Sequence, residues 1–412
     1  MSADVRARIG LLLLLTLLVV LPGACVRVRM HGDPTAWVQA MTSTVRVATY
    51  NTSLYDESAG RLIQRLEGDD AHARKVAAVL QRVRPDVVLL NEFDYDDAHR
   101  AADLFQERYL GVSQLGGGDA LAYPHRFLAP VNTGVPSGLD LDRNGQIGGQ
   151  ARDRGNDAWG YGLHPGQYGM LVLSRYPIDA AAVRTFQTLR WSTMPGAQRP
   201  RDPATGAWWY DDTAWPLMRL SSKSHWDVPV RTPGGVVHLL AAHPTPPTFD
   251  GPENRNGLRN ADEIRLWREY ISDPDSTARW LCDDAGRCGG LAGGTKFVIV
   301  GDYNADPDDG AGDRGAIRAL LEHPRVSQAP APRSDGASVR ATRYGLARTG
   351  DTAAHTGDFG PTVGTLRIDY AVPSSNLGVK TSGVFWASPG TPDAAISEVS
   401  DHHLVWVDVS PR

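Results

Sequence analysis

Cysteine is scarce in this chain, with 3 among 412 residues. A metal site built on thiolates would need more ligands of that kind, and no histidine neighbours Cys282 or Cys288 to activate a cysteine nucleophile. These two cysteines lie close together in a glycine-rich polar loop, where an oxidising compartment would let them pair. The loop therefore predicts a disulfide, which leaves Cys25 alone.

An excess of positive charge is also missing, because the formal net charge is -5 at pH 7 and the pI is about 6.2. This balance argues against a protein that holds polyanions through bulk positive charge. Recognition of nucleic acid would therefore have to come from a local site.

Long apolar runs are lacking apart from residues 9–21, which follow Arg6 and Arg8 and end at Pro22. A membrane span needs roughly 20 apolar residues, so this run predicts a signal peptide over residues 1–25 instead. Cys25 stands where a bacterial lipoprotein carries its lipid, and both lipidation and plain secretion stay open. Residues 26–44 are expected to be a tether, and membrane contact is expected only through such an anchor.

What is present is the alternation of short β-rich runs with helical patterns, which predicts one α/β domain over residues 45–412. The expected strands cover residues 45–50, 86–90, 170–173, 236–242, 297–300, 366–372 and 404–409. A helix is expected over residues 71–82, and Asn260 with Glu263 has the spacing of a capping box that would begin another.

Two loops are unusually long, at residues 111–169 and 188–212. Four tryptophans lie in or beside the second loop: Trp191, Trp208, Trp209 and Trp215. They would form either an exposed platform for substrate or the packed interior of a folded-over loop.

Polar residues that can carry chemistry recur at the ends of the apolar strands, where a sheet directs side chains into a crevice. Asn51 follows VRVATY, Glu92 lies in VVLLNEF, His243 follows VHLLAA, Asp302 and Asn304 lie in FVIVGDYN, and Asp369, Asp401 and His402 lie in RIDY and SDHH. Oxygen ligands of this kind suit a hard cation such as Mg²⁺ or Mn²⁺, with Glu92 as the first candidate ligand.

The same set contains the groups that hydrolysis of a phosphate ester needs. His402 can deprotonate the attacking water if a carboxylate fixes its tautomer, and Asp369 is the candidate for that partner. His243 can donate a hydrogen bond or a proton to the phosphate oxygens, and Asn304 can bind those oxygens or the water.

In this ordered set the chain resembles the endonuclease/exonuclease/phosphatase superfamily over nearly the whole of residues 45–412. The matching motifs are the strand-end Asn51, the acidic Glu92, the G-D-x-N sequence of Gly301, Asp302, Tyr303 and Asn304, and the S-D-H sequence of Ser400, Asp401 and His402. The resemblance implies a four-layered α/β sandwich in which two mostly antiparallel sheets lie face to face between helices.

The resemblance also implies roles for individual residues. Glu92 would be the principal metal ligand, Asp401 would lie near the metal, and Asp369 would pair with His402. Asp302 and Asn304 would handle water and phosphate. His243 resembles the histidine of the deoxyribonuclease-like and sphingomyelinase-like branches, although no acidic residue before MLVLSR clearly orients it.

Two further groups are candidates for binding. Asp140, Asp142, Asn144 and Gln146 follow the spacing of a calcium loop, and a further ligand would come from Asp153 or Asp157 because Ala151 occupies the closing position. The candidate phosphate contacts are Arg219, Lys223, His225 and Arg259.

We therefore predict an exported, monomeric hydrolase of a phosphodiester or phosphomonoester that uses Mg²⁺ or Mn²⁺ and that carries a structural Ca²⁺. A secreted nuclease and a non-catalytic, calcium-dependent surface binding module are the alternatives.

Overall fold

The computed structural model describes residues 20–21, 24–25, 43–272 and 278–411. The expected signal peptide and tether lie almost wholly outside these residues, as does the side chain of Cys25. None of the described helices is both long and apolar enough to span a bilayer.

The strands, in chain order, are β1 (Val20–Leu21), β2 (Ala24–Cys25), β3 (Val45–Leu54), β4 (Val87–Phe93), β5 (His125–Phe127), β6 (Met170–Ser174), β7 (Arg184–Thr185), β8 (His225–Thr232), β9 (Gly235–Ala242), β10 (Phe297–Asp302), β11 (Gly357–Asp358), β12 (Thr365–Leu366), β13 (Asp369–Pro373), β14 (Leu377–Val384) and β15 (Val405–Pro411). The α-helices are α1 (Arg61–Glu67), α2 (Ala71–Val83), α3 (Arg100–Leu104), α4 (Arg152–Asn156), α5 (Arg255–Tyr270), α6 (Arg314–Leu321), α7 (Asp335–Tyr344), α8 (Gly360–Val363) and α9 (Ala394–Ser397). A π-helical turn, Phe105–Leu110, continues α3, and 3₁₀ turns cover Trp191–Thr193, Trp215–Leu217 and Thr352–Ala354.

Two large sheets organise the chain. One has six strands in the order β14-β15-β3-β4-β6-β5, and the other has five in the order β13-β10-β9-β8-β7. Only the pairs β3/β4 and β9/β10 are parallel within these two sheets; every other pairing in them is antiparallel. Because the carboxyl ends of parallel neighbours meet at one edge, each sheet presents two strand ends side by side.

The two sheets pack face to face through apolar side chains that alternate with outward-facing ones. Val47 and Leu89 from the six-stranded sheet share this central core with Val228, Leu239 and Val300 from the other. A second core lies between the outer face of the six-stranded sheet and α1, α2 and α3, and a third lies between the five-stranded sheet and α5 and α6. The order of layers is helix, sheet, sheet, helix, which confirms the expected four-layered sandwich.

The capping box expected at Asn260 is wrong, because α5 begins at Arg255 and Asn260 lies inside it. Asn260 is fully buried and its Nδ2 donates to the backbone oxygens of Thr245 and Tyr303 at 2.8 and 2.9 Å. Glu263 is also fully buried, and it accepts hydrogen bonds from loop backbone rather than from the start of its own helix. The pair joins α5 to the loops at the strand ends.

The tryptophan-bearing loop is folded over. Trp191 is fully buried and its Nε1 donates to Asp262 Oδ2 at 2.7 Å, while Trp215 packs on it with ring centroids 5.2 Å apart. Trp209 Nε1 donates to the Leu141 oxygen at 3.0 Å. Trp208, which is 39% exposed, lies beneath Arg201. Contacts within the loop and with its neighbours therefore account for three of the four rings.

Candidate active site

Asp302 lies at the centre of the predicted polar set. Its Oδ2 accepts a hydrogen bond from Asn51 Nδ2 at 3.1 Å, and it lies 3.4 Å from His243 Nε2 and 3.7 Å from His402 Nε2. Asn51 comes from β3, His243 follows β9, and Asp302 ends β10, so residues far apart in sequence meet where the strands end.

The glycine before Asp302 allows this convergence. Gly301 has a φ of +145°, and a Cβ at that position would lie 2.0 Å from the Ala242 oxygen on the neighbouring strand. Only a residue without a side chain lets β10 approach β9 this closely. The first residue of the G-D-x-N sequence is therefore fixed by backbone packing.

His402 is held by a carboxylate on one ring nitrogen. Its Nδ1 lies 3.0 and 3.1 Å from the two carboxylate oxygens of Asp369, so the Nδ1–H donates there and Nε2 faces Asp302. Thr356 Oγ1 donates to Asp369 Oδ2 at 2.7 Å and accepts from the backbone N–H groups of Ile368 and Asp369. This arrangement fixes the tautomer and the orientation of the imidazole.

The buried charges of this set stabilise one another. Burial opposes the charged imidazole, yet Asp369 and Asp302 hold the pKa of His402 well above its usual range. Burial likewise opposes ionisation of Asp302, but the positive charge of His402 and the hydrogen bond from His243 hold the pKa of Asp302 below its usual range. A carboxylate and an imidazolium therefore face each other across the site.

Glu92, the last residue but one of β4, has a backbone conformation that residues with a side chain rarely adopt, with φ at +55°. Burial raises the pKa of this carboxyl to about 7, against the opposing influence of His402 and of the Asn51 amide. Residues other than glycine in the left-handed backbone region are strained and must be held by the surrounding fold. They are concentrated at functional sites. Glu92 also lines the cavity described below, as His243 does.

The donor set fits a hard divalent cation. Glu92 and Asn51 offer carboxylate and amide oxygens, and the ligating atoms of Asp302, Asp369 and His402 all lie within 4.8 Å of one another. A buried carboxyl with a raised pKa is one that a bound cation would stabilise in its ionised form. Asp401, the third predicted ligand, is exposed, and its Oδ1 lies 3.4 Å from Ser400 Oγ.

Asn304 and His243 bracket Asp302. The Asn304 backbone N–H donates to Asp302 Oδ1 at 2.9 Å, and its Nδ2 donates to the Pro244 oxygen at 3.1 Å. Burial, followed by the nearby Lys223, lowers the pKa of His243 to about 4, so the ring is neutral at physiological pH. Asp302 lies beside Nε2 of this ring, and so takes the place of the acidic partner that the sequence did not reveal.

Of the four predicted phosphate contacts, Lys223 lies beside the catalytic groups, where it lines the same cavity as Glu92 and His243. Arg259 lines the cavity too, but its guanidinium donates to the backbone oxygens of Trp159, Arg219, Leu220 and Ser221. Arg259 therefore holds in place the loop that contains Lys223.

The other two predictions of phosphate contact disagree with the structure. His225 is fully buried, with Nδ1 at 3.0 Å from Ser221 Oγ and Nε2 at 3.0 Å from the Glu263 oxygen. Arg219 donates to Asn132 Oδ1 at 2.5 Å and its guanidinium lies over the Trp159 ring. The alternating spacing of Arg219, Lys223 and His225 predicts one strand, but only His225 lies in β8, and Arg219 and Lys223 precede it. The spacing also could not show that the polar atoms of Arg219 and His225 are already bonded.

The predicted calcium loop brings together Asp140, Asp142 and Asp157, whose carboxylate oxygens lie within 4.8 Å of one another. Asp157, and not Asp153, joins this group. Asn144 and Gln146 instead support the turn: their backbone N–H groups donate to Asp140 and to Asn144 Oδ1, at 3.0 and 2.8 Å.

Two supporting residues were missed from the sequence. Thr356 belongs to no motif and lies in a loop, so only the fold reveals its contact with Asp369. Asn91, which precedes Glu92, is fully buried; its Oδ1 accepts from the Asp302 N–H at 3.3 Å and its Nδ2 lies 3.4 Å from the Ala242 oxygen. A buried amide inside an apolar strand was a signal that could have been used.

A cavity of about 400 Å³ opens beside the catalytic groups. Its lining includes Glu92, Lys223 and His243 at the catalytic end, together with Tyr161 and Phe249, which are 46% and 77% exposed. The exposed aromatic residues mark the outer end of the cavity. Segments of both long loops contribute to the walls, so these insertions shape the site.

Comparison with known proteins decides the family, since residues 48–402 match the sequence profile of the Endonuclease/Exonuclease/phosphatase family. The chain belongs to this family. Its members are metal-dependent hydrolases of phosphate esters, and the chain is therefore a hydrolase of this class.

The chain is similar to solved structures of low sequence identity. An endonuclease/exonuclease/phosphatase from Beutenbergia cavernae is 19% identical, with 89% of this chain and 72% of that chain covered and a TM-score of 0.49. Sphingomyelinase C from Streptomyces griseocarneus is 16% identical, with 89% and 99% covered and a TM-score of 0.45. TDP2 from Caenorhabditis elegans is 14% identical, with 90% and 78% covered and a TM-score of 0.39. The search of curated proteins found no match to this hydrolase.

Proposed function

We propose that this hydrolase is exported and that it cleaves the ester of a small organic phosphate by direct attack of water on phosphorus. The observation that carries the proposal is the position of His402, which is bonded to Asp369 through Nδ1 and has Nε2 3.7 Å from Asp302. A water molecule held beside these groups would pass its proton to the Asp302 carboxylate, which the His402 imidazolium stabilises, as the new P–O bond forms. The ester bond to the alcohol breaks in the same step.

The family's divalent cation would be held by Glu92 and Asn51, and we propose Mg²⁺, with Mn²⁺ as a substitute, because the donors are oxygens. Such an ion polarises a phosphoryl oxygen and stabilises the charge on the departing oxygen. Asn304 would then contact a remaining phosphoryl oxygen, since it lies next to Asp302. His243 would hold the Asp302 carboxylate in place through its Nε2–H.

The cavity supports a small substrate. A concave site of about 400 Å³ suits one organic group better than a duplex, whose backbone needs a long basic groove. The net charge of -5 favours the same choice over a nuclease. The nuclease alternative is tested by assaying single-stranded and duplex DNA beside the small esters.

Turnover assays test the reaction. The purified hydrolase would be given phenyl phosphate, a bis-aryl phosphodiester, sphingomyelin, and single-stranded and duplex DNA, each with Mg²⁺, Mn²⁺, Ca²⁺ or EDTA. We expect metal-dependent turnover of a small ester that His402→Ala abolishes and His125→Ala leaves intact, because His125 pairs with Ser174 at the opposite end of the sheet from Glu92. Preferential cleavage of DNA would show that the substrate is a nucleic acid and not a small ester.

The metal arm of this test uses Glu92→Gln, which keeps the shape of the side chain and removes its charge. We expect the Mg²⁺ concentration for half-maximal rate to rise about 10- to 100-fold. Glu57→Gln on an exposed turn is the matched control. An unchanged Mg²⁺ requirement in Glu92→Gln would show that the cation binds elsewhere.

We also propose Ca²⁺ as a structural ion at Asp140, Asp142 and Asp157. The proposal is supported by the convergence of three carboxylates with the spacing of a calcium loop. Calcium is abundant outside cells, which agrees with the proposed export.

A further inference from the structure

Two buried hydroxyl groups that line the cavity lack a hydrogen-bond partner among the described residues. Ser222 and Thr245 line it and are 4% and 7% exposed, yet among the described residues neither hydroxyl has a hydrogen-bond partner. Buried hydroxyls without partners are uncommon in folded proteins and point to a missing ligand or water.

Lys223 lines the same cavity as Ser222 and Thr245. It is 6% exposed, and within residues 43–272 and 278–411 no carboxylate lies at ion-pair distance from its ammonium group. The carboxylates of Glu263, Glu92 and Asp302 attract this ammonium without forming a direct ion pair, and burial still lowers its pKa. A buried ammonium without a direct ion pair is costly, so an anion that enters the cavity would be bound favourably.

One carboxylate below the cavity fixes the spacing of the two hydroxyl residues. Glu263 Oε1 accepts from the Ser222 N–H and Oε2 accepts from the Thr245 N–H, both at 2.7 Å. Because both backbones are tied to one fully buried carboxylate, Ser222 and Thr245 are held as neighbours on a rigid base.

His243 does not belong to this donor group. Its Nε2 lies 3.4 Å from Asp302 Oδ2, so the neutral ring carries its proton there and leaves Nδ1 as an acceptor. The acceptor would face a hydroxyl group or a water and not an anion. The donors for an anion are therefore Ser222, Lys223 and Thr245.

We propose that Ser222, Lys223 and Thr245 form an anion subsite that holds a second acidic group, phosphate or carboxylate, of the substrate. The inference rests on the proposed function, because it places this group in the cavity next to the scissile phosphate. Substrates of this kind are small phosphate esters with a further negative charge on the organic part. The apolar and aromatic residues Leu141, Tyr210 and Met218 line the same cavity and would contact the carbon skeleton.

The first experiment measures binding without turnover. Inorganic phosphate is titrated calorimetrically into the full hydrolase in EDTA, with the wild type and His402→Ala in parallel. We expect saturable binding of similar affinity to both. Lys223→Met and the double variant Ser222→Ala with Thr245→Val should each weaken it at least about tenfold. Lys75→Met, on an exposed face of α2, is the matched control.

Stability provides a second readout for the same variants. Lys223→Met replaces a buried charge by an apolar chain of similar length, so we expect its melting temperature without phosphate to equal or exceed that of the wild type. Phosphate should raise the melting temperature of the wild type and not that of Lys223→Met. Undiminished phosphate binding by folded Lys223→Met would overturn the subsite.

The second experiment distinguishes a substrate group from free phosphate. We expect the wild type to have a KM for carboxyphenyl phosphate at least about tenfold below that for phenyl phosphate, and Lys223→Met to lose this preference. Equal KM values would overturn the substrate assignment and leave a site for free phosphate. If phosphate binds in EDTA but no ester is hydrolysed, the proposed function fails while the subsite stands.

Discussion

At the scale of single residues, the catalytic histidine depends on a chain of contacts that ends in a neutral hydroxyl. His402 is positioned by Asp369, and Asp369 is positioned by Thr356, whose single oxygen donates one hydrogen bond and accepts two. Thr356 touches no reacting atom, so it is a positioning residue that acts through Asp369.

Thr356→Val keeps the shape of the side chain and removes these bonds. We expect kcat to fall about 10- to 100-fold with little change in KM, since the loss of one bond to a charged group costs roughly 1.5–3 kcal/mol. Thr356→Ser should restore kcat, whereas Thr342→Val on exposed α7 should leave it unchanged. A parallel rise in KM, or no rescue by serine, would assign Thr356 a purely structural role.

His225 gives the fold a dependence on pH. Burial lowers the pKa of this ring from 6.5 to about 3 in the folded chain, while the unfolded chain keeps the ordinary value. The folded state therefore binds fewer protons between these two values, so the stability contributed by neutral His225 is complete above about pH 6.5 and is lost as pH falls toward 3. Urea unfolding at pH 7.5 and pH 5 measures this loss.

His225→Gln removes the titrating ring, and we expect its free energy of unfolding to fall less between pH 7.5 and pH 5 than that of the wild type. His243 and His403 are also buried with lowered pKa values, so part of the pH dependence should persist. His125→Gln is the control for loss of a half-buried histidine. An unchanged slope in His225→Gln would contradict the assignment.

At the scale of elements, α5 is tied to the site through side chains that the sequence suggested for another purpose. Asn260 and Glu263 have the spacing of a capping box, but that spacing also places two side chains on one face of a helix interior. Only the fold shows that this face meets the loops after β9 and before β8. The existence of α5 was predictable for this reason, whereas the role of its polar pair was not.

Glu263→Gln replaces a carboxylate that accepts two backbone N–H bonds by an amide with one oxygen. We expect the free energy of unfolding to fall by about 2–4 kcal/mol, because one buried N–H then faces an NH₂ group. Chemical denaturation measures it, with Glu107→Gln on an exposed surface as the control. A loss no greater than that of the control would mean that the loops are held by other contacts.

The presence of the strands that carry the site was predictable because apolar runs mark them, and Asn51, Glu92, Asp302 and Asp369 all lie in strands. Their ends were less accurate, because β3 continues through Asn51 to Leu54 and Asp369 begins β13. Loop geometry was less accessible. The spacing of the calcium loop indicated Asp140 and Asp142, but whether Asp153 or Asp157 joins them depends on α4, which turns Asp157 back beneath the loop.

The calcium proposal is tested by stability. We expect Ca²⁺ to raise the melting temperature of the wild type by several degrees, through preferential binding to the folded state, and not that of Asp142→Asn. Asp119→Asn, at an exposed position, should respond like the wild type. Equal shifts in wild type and Asp142→Asn would place any bound calcium outside this loop.

At the scale of the whole molecule, the three cysteines bear on the proposed export. Cys282 and Cys288 form a disulfide, as expected for a chain that folds in an oxidising compartment. We expect the mature protein from a secreting host to begin near residue 25, by intact mass and N-terminal sequencing.

If Cys25 carries a lipid, Cys25→Ser should move the protein from the membrane fraction to the soluble fraction. Recovery of the wild type in the soluble fraction would establish plain secretion. An intact chain that begins at Met1 and carries reduced Cys282 and Cys288 in the cytoplasm would contradict export in either form.

The catalytic set is divided between the two sheets: Asn51 and Glu92 stand on one, and Asp302 and Asp369 stand on the other. Neither half contains a working centre, so activity requires the central core to hold the halves in register to within a fraction of an ångström. The catalytic rate therefore reports how closely the two sheets are held in their native positions. Under gradual denaturation, or after a substitution in the central core, turnover should disappear while the chain still shows its full far-UV circular dichroism.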